Sequence, residues 1–244
     1  MRDNGPSYVL ADGVVTLQDW GFDAWGGNFG PDIPWQADDA VPPAVAAYLR
    51  TPIETYPLIH ERGDLEFNGA DTLIASWSVL SDRNPGVTPG DITSLFEEAF
   101  GVSSVVYIEG FDPLDGTTGH VDGIVRFIPS GEVVVGAIET PQDAPIAAQR
   151  FDDVAEQIAL QRPDLTILRM AFPPETDYMN WLVGNGYVIS GAFDNPAVDD
   201  AARAKLEQYF PDRVIYMVPM GPLWENGGGV HCVTNDQPAW SLEG

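Results

Sequence analysis

The stretch GGGVHCVTNDQP, residues 227–238, contains the only cysteine of the chain, Cys232, directly after His231 and behind three glycines. A lone cysteine excludes an intramolecular disulfide, so this thiol is either a small buried apolar group or a reactive group. Composition alone favours the buried role, because that is the commoner position of a free cysteine. The other glycine-flanked polar segments of the chain are needed to decide between the two.

Length and composition predict one acidic globular domain over residues 1–244. With 44% hydrophobic residues among 244, the chain can build one substantial core. It has 37 Asp and Glu against 11 Lys and Arg, a formal net charge of −26, and Lys205 is its only lysine. Such an excess of negative charge repels nucleic acids and anionic membranes. A nearly lysine-free acidic surface also predicts adaptation to high salt, where screening weakens self-repulsion.

The chain shows no sequence signal for a membrane or for export. No apolar run approaches the ~18 residues that a membrane span needs. The start, MRDNGPSYVL, lacks the apolar segment of a signal peptide. We therefore expect a cytoplasmic protein.

Short β-like runs alternate with helical runs, which predicts an α/β chain of small repeated units. A turn at 11–13 separates two predicted strands within 7–20. Further strands are predicted at 72–80, 104–110, 121–128, 132–138, 165–170, 186–193 and 213–220. Helices are predicted at 88–101, 151–162 and 199–210, and a weaker one at 38–50, which contains prolines.

Four segments place an acidic or nucleophilic residue beside glycine: MRDNGP, IHERGDLEFNG, TTGHVDG and GGGVHC. In the third segment, His120 and Asp122 are two residues apart at the start of a predicted strand. Side chains two apart in a strand leave the same face, so we expect both to address one ligand. In the second segment, Glu61 lies just before a glycine in another strand-like region.

In this order, RDNGP, DWGFDAWGG, ERGD, DGTTGHVDG, YMNW, FPDR and GGGVHCVTNDQP resemble the agmatine deiminase and bacterial (Porphyromonas-type) peptidylarginine deiminase family of guanidine-modifying enzymes. The resemblance runs from Arg2 to Pro238. It implies a pentein fold, an α/β propeller of five ββαβ-like modules around a central site. Family members carry a further segment before the RD motif, so we expect a single deiminase domain truncated at its N-terminus and lacking its first module. In such a chain Asp3 is expected to fray.

The resemblance also implies a catalytic set whose chemistry suits a guanidinium. Asp3 and Asp122 correspond to the carboxylates that clamp the guanidinium nitrogens through charge-assisted hydrogen bonds. Cys232 corresponds to the nucleophile that forms a covalent amidino-thioether. His120 corresponds to the acid and base, and Glu61 to the acid that orients it. The set needs no metal and no cofactor.

The segment GFDAWGGNFGPDIPW, residues 21–35, guides the expectation for the substrate. The peptidylarginine branch of the family binds the substrate carboxylate with arginines here, whereas this segment has no Arg or Lys. We therefore expect a small cationic guanidine, agmatine, with Trp25, Asp23 and Gly229 among the substrate-binding residues. Free arginine and peptidyl-arginine remain the alternatives, and a homodimer remains open. Arg62 replaces a glycine of the family pattern, which predicts strain in the loop that presents Glu61.

Two interpretations from other classes compete with the deiminase. His60, His120, His231 and Asp122 could form the metal site of a metallohydrolase, since imidazole and carboxylate are suitable ligands. Alternatively, a truncated chain could be a noncatalytic remnant that binds a guanidine or a partner subunit. Sensitivity to a chelator together with indifference to Cys232→Ala would favour the first, and guanidine binding without ammonia release would favour the second.

Overall fold

A computed structural model describes residues 1–110 and 115–238. Within these residues, twelve strands form four separate three-stranded sheets of one design. In each sheet the first two strands pair antiparallel, and the third pairs parallel with the second. A parallel pairing requires a crossover, which helices supply in every unit. The predicted α/β chain of repeated units is therefore confirmed.

The four units follow one another along the chain. The first contains β1 (Ser7–Ala11), β2 (Val14–Gly21), α1 (Gln36–Asp39), α2 (Val41–Leu49) and β3 (Ile53–Ile59). The second contains β4 (Leu65–Phe67), β5 (Thr72–Ser76), α3 (Trp77–Arg83), α4 (Pro89–Phe100) and β6 (Ser104–Ile108). The third contains β7 (Val125–Phe127), β8 (Val133–Ile138), α5 (Pro145–Gln161) and β9 (Ile167–Phe172). The fourth contains β10 (Leu182–Gly184), β11 (Tyr187–Ala192), α6 (Pro196–Tyr209) and β12 (Val214–Pro219), and α7 (Gly221–Trp224) follows it.

Helix α4 forms where its sequence signals predict it. The Thr88 hydroxyl accepts a hydrogen bond from the Asp91 amide, and the Asp91 carboxylate accepts one from the Thr88 amide. This reciprocal cap satisfies two backbone N–H groups that have no partner inside the helix. Gly101 ends the helix in the left-handed conformation, with φ of 70°. Between these ends, Ile92 and Phe96 are fully buried at helical spacing.

The strand predicted at 72–80 is wrong in its second half. Strand β5 ends at Ser76, because β6 pairs only with Thr72–Ser76 and leaves the next residues without a strand partner. Helix α3 begins at Trp77 and buries Val79 and Leu80. Strand β4 lies in the strand-like region at 59–69, whereas β3 and β10 were not predicted, because β10 has only three residues and Pro57 interrupts the pattern of β3.

The largest hydrophobic cluster joins the third and fourth units and includes Val134, Phe151, Trp181 and Leu206. A second cluster, around Trp20 and other residues of the first two units, packs beneath the segment that carries Glu61. The first cluster includes Val121 and Trp181, which are adjacent to Asp122 and Asn180 in the sequence, and the second includes Leu65, the first residue of β4. Among the described residues, no helix has the length and apolar character to cross a membrane.

Candidate active site

The segment before the first strand of each unit carries a polar residue of the candidate site. Asp3 precedes β1, Glu61 precedes β4, Asp122 lies just before β7, and Asn180 precedes β10. Cys232 follows the fourth unit, after α7. The hydrogen bonds described below join these segments, so the corresponding ends of all four units meet in one place. The site is therefore assembled from residues that are distant in the sequence.

His120 lies in a buried carboxylate environment. Its Nε2 is 3.2 Å from Oε2 of Glu61, and its Nδ1 is 3.9 Å from Oδ1 of Asp3. Burial by itself would lower the pKa of His120, but the carboxylates of Asp3, Glu61 and Asp122 outweigh it and raise this pKa to about 10. In the substrate-free protein His120 is therefore an imidazolium, which is the form that can donate a proton.

Asp3 is held by two hydrogen bonds, whereas we expected it to fray. Its Oδ1 accepts from the amide of Gly63, and its Oδ2 accepts from the indole Nε1 of Trp25, both at 2.9 Å. Gly63 is required for this approach, because a Cβ there would lie 2.5 Å from Nδ1 of His120 and 2.9 Å from Oδ1 of Asp3. Trp25, which we expected among the substrate-binding residues, thus contacts a residue of the candidate site.

The prediction that His120 and Asp122 extend from one face of a strand is wrong. Residues Val121–Gly123 form a turn of 3-10 helix, closed by a 2.8 Å hydrogen bond from the Ile124 amide to the Val121 carbonyl, and β7 begins only afterwards. From this turn the two side chains reach different groups. His120 faces Glu61, whereas Asp122 faces His231 and Cys232.

Asp122 is a buried carboxylate that touches the sulfur. Its Oδ2 lies 2.8 Å from Nδ1 of His231 and 3.6 Å from Sγ of Cys232. Burial and the cation of Arg126 lower the pKa of His231 to about 3, so a neutral imidazole donates its Nδ1–H to Asp122. Burial alone would raise the pKa of Asp122, but the hydrogen bond from His231 and the nearby His120 hold it well below its usual range. Asp122 is therefore ionised.

The environment of Cys232 keeps the sulfur protonated in the substrate-free protein. Burial and the negative charges of Asp122 and Asp3 raise the pKa of the thiol well above its ordinary value. The backbone on both sides is fixed by Arg2, whose amide donates to the Cys232 carbonyl at 3.2 Å and whose Nε donates to the His231 carbonyl at 3.0 Å. The thiol thus lies among polar groups and not in the hydrocarbon core.

Asn180 belongs to the site although it was not predicted as a site residue. Its Nδ2 lies 3.3 Å from Sγ of Cys232, and its Oδ1 accepts from the amides of His231 at 2.9 Å and Cys232 at 3.4 Å. The motif YMNW, residues 178–181, contained a usable signal. It occupies the same place before β10 that the segments of Asp3, Glu61 and Asp122 occupy before their strands.

Two further predicted residues have other neighbours. Asp23 accepts a 2.8 Å hydrogen bond from the amide of Gly26 and orders the loop that carries Trp25. Gly229 packs against Asn180, since a Cβ at Gly229 would lie 2.2 Å from Oδ1 of Asn180. Their predicted contacts with substrate remain predictions.

The substitution at Arg62 does not strain the loop as we had predicted. No positive φ occurs at Arg62, and its side chain extends away to Oδ1 of Asp236 at 3.2 Å. The glycine that this turn needs for close packing is Gly63, which the chain retains.

The histidines do not converge as the metallohydrolase hypothesis requires. The ring of His60 packs against Trp20, with centroids 4.3 Å apart, and also against Phe96. Within residues 1–110 and 115–238, no group of three or more His, Cys, Asp or Glu side chains is placed to hold a metal ion.

Comparisons with known proteins agree with this arrangement. The family model of the Porphyromonas-type peptidyl-arginine deiminases matches residues 1–238. An agmatine deiminase of Pseudomonas aeruginosa is 31% identical, over 98% of this chain and 74% of that protein. The solved structure of the agmatine deiminase of Enterococcus faecalis has a TM-score of 0.86 at 25% identity, over 98% of this chain and 74% of its own. DDAH from Pseudomonas aeruginosa, with a TM-score of 0.52 at 15% identity over 95% of this chain and 72% of its own, shares the fold alone.

These likenesses confirm the expected pentein fold, of which the described residues form four units where the resemblance implies five. The match of the family model extends through all four units and through every residue of the site described above. The chain therefore belongs to the Porphyromonas-type peptidyl-arginine deiminase family.

Proposed function

We propose that this chain catalyses the hydrolytic deimination of agmatine to N-carbamoylputrescine and ammonia. The observation that carries the proposal is the contact between the Cys232 thiol and the ionised Asp122 carboxylate at 3.6 Å, beside the imidazolium of His120, whose Nδ1 lies 3.9 Å from the carboxylate of Asp3. A nucleophile, a proton donor and two carboxylates around one small space suit a planar cation.

Substrate binding activates the nucleophile in this proposal. The carboxylates of Asp3 and Asp122 hold the guanidinium nitrogens and place its central carbon beside Sγ of Cys232. The positive charge of the substrate offsets the same two carboxylates that raise the pKa of the thiol, so the thiol then releases its proton to water. Asn180 supports the resulting thiolate through its Nδ2.

The chemical steps use His120 twice. The thiolate forms a C–S bond with the guanidinium carbon, and the His120 imidazolium gives its proton to the departing nitrogen, which leaves as ammonia. The now neutral His120 takes a proton from water, and the hydroxide adds to the carbon of the amidino-thioether. The C–S bond breaks, the sulfur leaves, and the urea product is released. Glu61, on the opposite ring nitrogen from Asp3, stabilises the imidazolium form between these steps.

The charge of residues 21–35 supports agmatine over arginine as the substrate. Residues 21–35 contact the site through the hydrogen bond from Trp25 to Asp3, and this segment contains Asp23 and Asp32 but no Arg or Lys. Agmatine is cationic at both ends and has no carboxylate, so an acidic entrance attracts it, whereas it repels the carboxylate of arginine.

A comparison of turnover on three substrates tests this assignment. Agmatine, free arginine and a peptide with C-terminal arginine are each supplied to the wild-type protein and to Cys232→Ala, and ammonia is measured with and without a metal chelator. We expect the wild-type protein to release ammonia from agmatine only, with or without the chelator. We expect Cys232→Ala to release no ammonia. Release from the peptide alone would move the substrate to the peptidyl-arginine branch. Activity of Cys232→Ala that the chelator abolishes would favour the metallohydrolase.

The broader assignments rest on the sequence and follow the same proposal. We take residues 1–244 as one deiminase domain, because its site draws on all four units. Agmatine deimination would place it in putrescine biosynthesis, with a cytoplasmic location. A homodimer is tested by light scattering of the purified chain. Binding of agmatine without ammonia release would instead favour the noncatalytic remnant.

A further inference from the structure

Arg83, the last residue of α3, is an arginine side chain buried beside the site. In a chain of net charge −26 it is one of ten arginines, and its side chain is 0% exposed. Its Nε donates to Oε1 of Glu61 at 2.8 Å, and its Nη2 donates to the carbonyl of Thr117 at 3.0 Å. None of the catalytic steps above uses it.

Glu61 is shared between Arg83 and His120. One carboxylate oxygen, Oε1, accepts from Arg83, while the other, Oε2, lies 3.2 Å from Nε2 of His120. Two partners on two oxygens fix both the position and the plane of the carboxylate. Glu61 is itself 0% exposed, so Arg83 and the imidazolium of His120 together supply the counter-charge that a buried carboxylate requires.

Asp64, in the same turn, shows the state of a buried carboxyl group without such a cation in contact. It is also 0% exposed, its Oδ1 accepts one backbone hydrogen bond from Ser76, and its Oδ2 has no partner among the described residues. Burial raises the pKa of Asp64 well above its ordinary value, which favours its neutral form. Glu61 differs from Asp64 in having a cationic partner on each of its two oxygens, Arg83 and His120.

Arg83 also joins the two loops that flank Glu61. Its Nη2 bond to Thr117 holds the loop that ends at His120. On the other side, its Nε lies 3.9 Å from Oδ1 of Asp23, in the loop that carries Trp25, and its Nη1 also binds Asp82. One guanidinium therefore sets the spacing among three segments of the site.

We propose that Arg83 is a positioning residue for deimination, which keeps Glu61 aligned with His120 and ties the His120 loop to it. The proposal rests on the proposed function for its kinetic readout. Its electrostatic part, the control of His120 through Glu61, can be measured without turnover.

Several titratable groups face His120 and enter any pH experiment. Asp3 lies in the segment before β1, and Asp122 lies in the same turn as His120. The segment before β4 contributes three groups: His60, Glu61 and Asp64. Only Glu61 among them hydrogen-bonds to Arg83.

A double-mutant cycle tests the proposal with Arg83→Met, Glu61→Gln and the double variant. We expect Arg83→Met to lower kcat about 30- to 100-fold, the range of a disturbed acid–base residue, with KM changed by less than about threefold. In the Glu61→Gln background the same substitution should cost less than about threefold, because the two residues act through one another. Equal losses in both backgrounds would overturn the proposal.

The pH dependence separates positioning from mere packing. In Arg83→Met, a displaced Glu61 supports the imidazolium less, so the pKa of His120 and the basic limb of kcat should both move to lower pH. If Glu61 stayed in place, removal of the nearby cation would move them upward instead, and an upward or absent shift would refute the role. Arg83→Lys keeps the charge and should restore the basic limb while recovering only part of kcat, since one ammonium cannot reproduce both bonds.

Two controls make each outcome decisive. Arg162, which binds Asp164, Thr72 and Ser104 at a distance from the site, provides the matched substitution Arg162→Met, expected to leave the pH profile unchanged. An NMR titration of the His120 ring compares the wild type with Arg83→Met, or with Arg83→Lys should the former fail to fold. Absence of turnover in the wild type would overturn the proposed function, whereas the titration would still decide the role of Arg83.

Discussion

Oδ2 of Asp122 lies 3.6 Å from Sγ of Cys232 and at the same time 2.8 Å from Nδ1 of His231. The carboxylate that should bind the substrate thus also acts on the nucleophile. Without a bound substrate, the negative charge of Asp122 disfavours the thiolate of Cys232. A bound cation offsets this charge. Reactivity of the sulfur is in this way linked to occupancy of the pocket.

Asp122→Asn should make the free thiol more reactive and the enzyme less active. Removal of the charge lowers the pKa of Cys232, so alkylation by iodoacetamide at pH 8 should accelerate, while deimination should fall about 100-fold or more for want of a clamping carboxylate. Cys232 is the only cysteine, so the alkylation rate reports one site. Asp177→Asn, at a buried carboxylate that accepts from the Met179 amide, is the control and should alkylate like the wild type. Equal rates for Asp122→Asn and the wild type would contradict this link.

Gly63→Ala should damage the site and the fold together. The added Cβ would lie 2.5 Å from Nδ1 of His120, so the imidazole and Asp3 must move apart. We expect a loss of about 1–3 kcal/mol in the free energy of unfolding, typical of overpacking, and a fall in kcat. Gly90→Ala, in α4, meets its nearest atom at 3.8 Å and should leave both unchanged or slightly improve stability. Wild-type kcat in Gly63→Ala would show that the contact is relieved without cost.

Asn180 substitutions should distinguish its two functions. Asn180→Ala removes the acceptor of the His231 amide and the donor to sulfur, which should cost about 1–3 kcal/mol of stability and reduce kcat. Asn180→Asp keeps the acceptor, so stability should recover, but its carboxylate beside Cys232 should raise the pKa of the thiol further and slow alkylation. Urea unfolding and iodoacetamide kinetics measure these effects separately. Faster alkylation of Asn180→Asp would contradict the electrostatic part.

Stability should decline with rising pH because of His120. Its pKa is raised from 6.5 to about 10 in the folded chain, so its contribution is complete below pH 6.5 and is lost as the pH rises toward 10. The free energy of unfolding should therefore fall by at least about 1 kcal/mol more between pH 6.5 and 10 in the wild type than in His120→Gln. His60→Gln is the control, because burial lowers the pKa of His60 to about 3 and it stays neutral over this range. Parallel pH profiles for the wild type and His120→Gln would refute the prediction.

The net charge of −26 predicts a dependence on salt. Screening of like charges should raise the melting temperature as NaCl increases from about 0.1 M, where the Debye length is about 10 Å, to molar concentration. Potassium chloride gives the same screening and serves as the comparison. A melting temperature that is independent of both salts would exclude adaptation to high salt.

The sequence predicted the strands and helices well wherever local signals are strong. Helix α4, with its Thr88 cap and Gly101 end, is an example. It failed at β5, which stops at Ser76 because its partner strand β6 ends there, a limit set by pairing and not by propensity. The turn at 121–123 was likewise mistaken for strand, although His120 and Asp122 both lie at the candidate site.

The site was predictable in its charged and nucleophilic members and not in its neutral or supporting ones. Asp3, Glu61 and Cys232 lie in glycine-flanked motifs, whereas Asn180 is an amide in an ordinary-looking segment and Arg83 lies at the end of a helix predicted as a strand. Their importance arises from contacts across 52 residues for Asn180 and Cys232 and 22 residues for Arg83 and Glu61. Such contacts exist only after the units have come together.

Because every unit of the repeat contributes a side chain from the same place, turnover requires all of them to be docked at once. Partial opening of a single unit would move one side chain out of the site and abolish activity, while most of the secondary structure would remain. Activity in mild denaturant is consequently a more sensitive measure of inter-unit cohesion than circular dichroism.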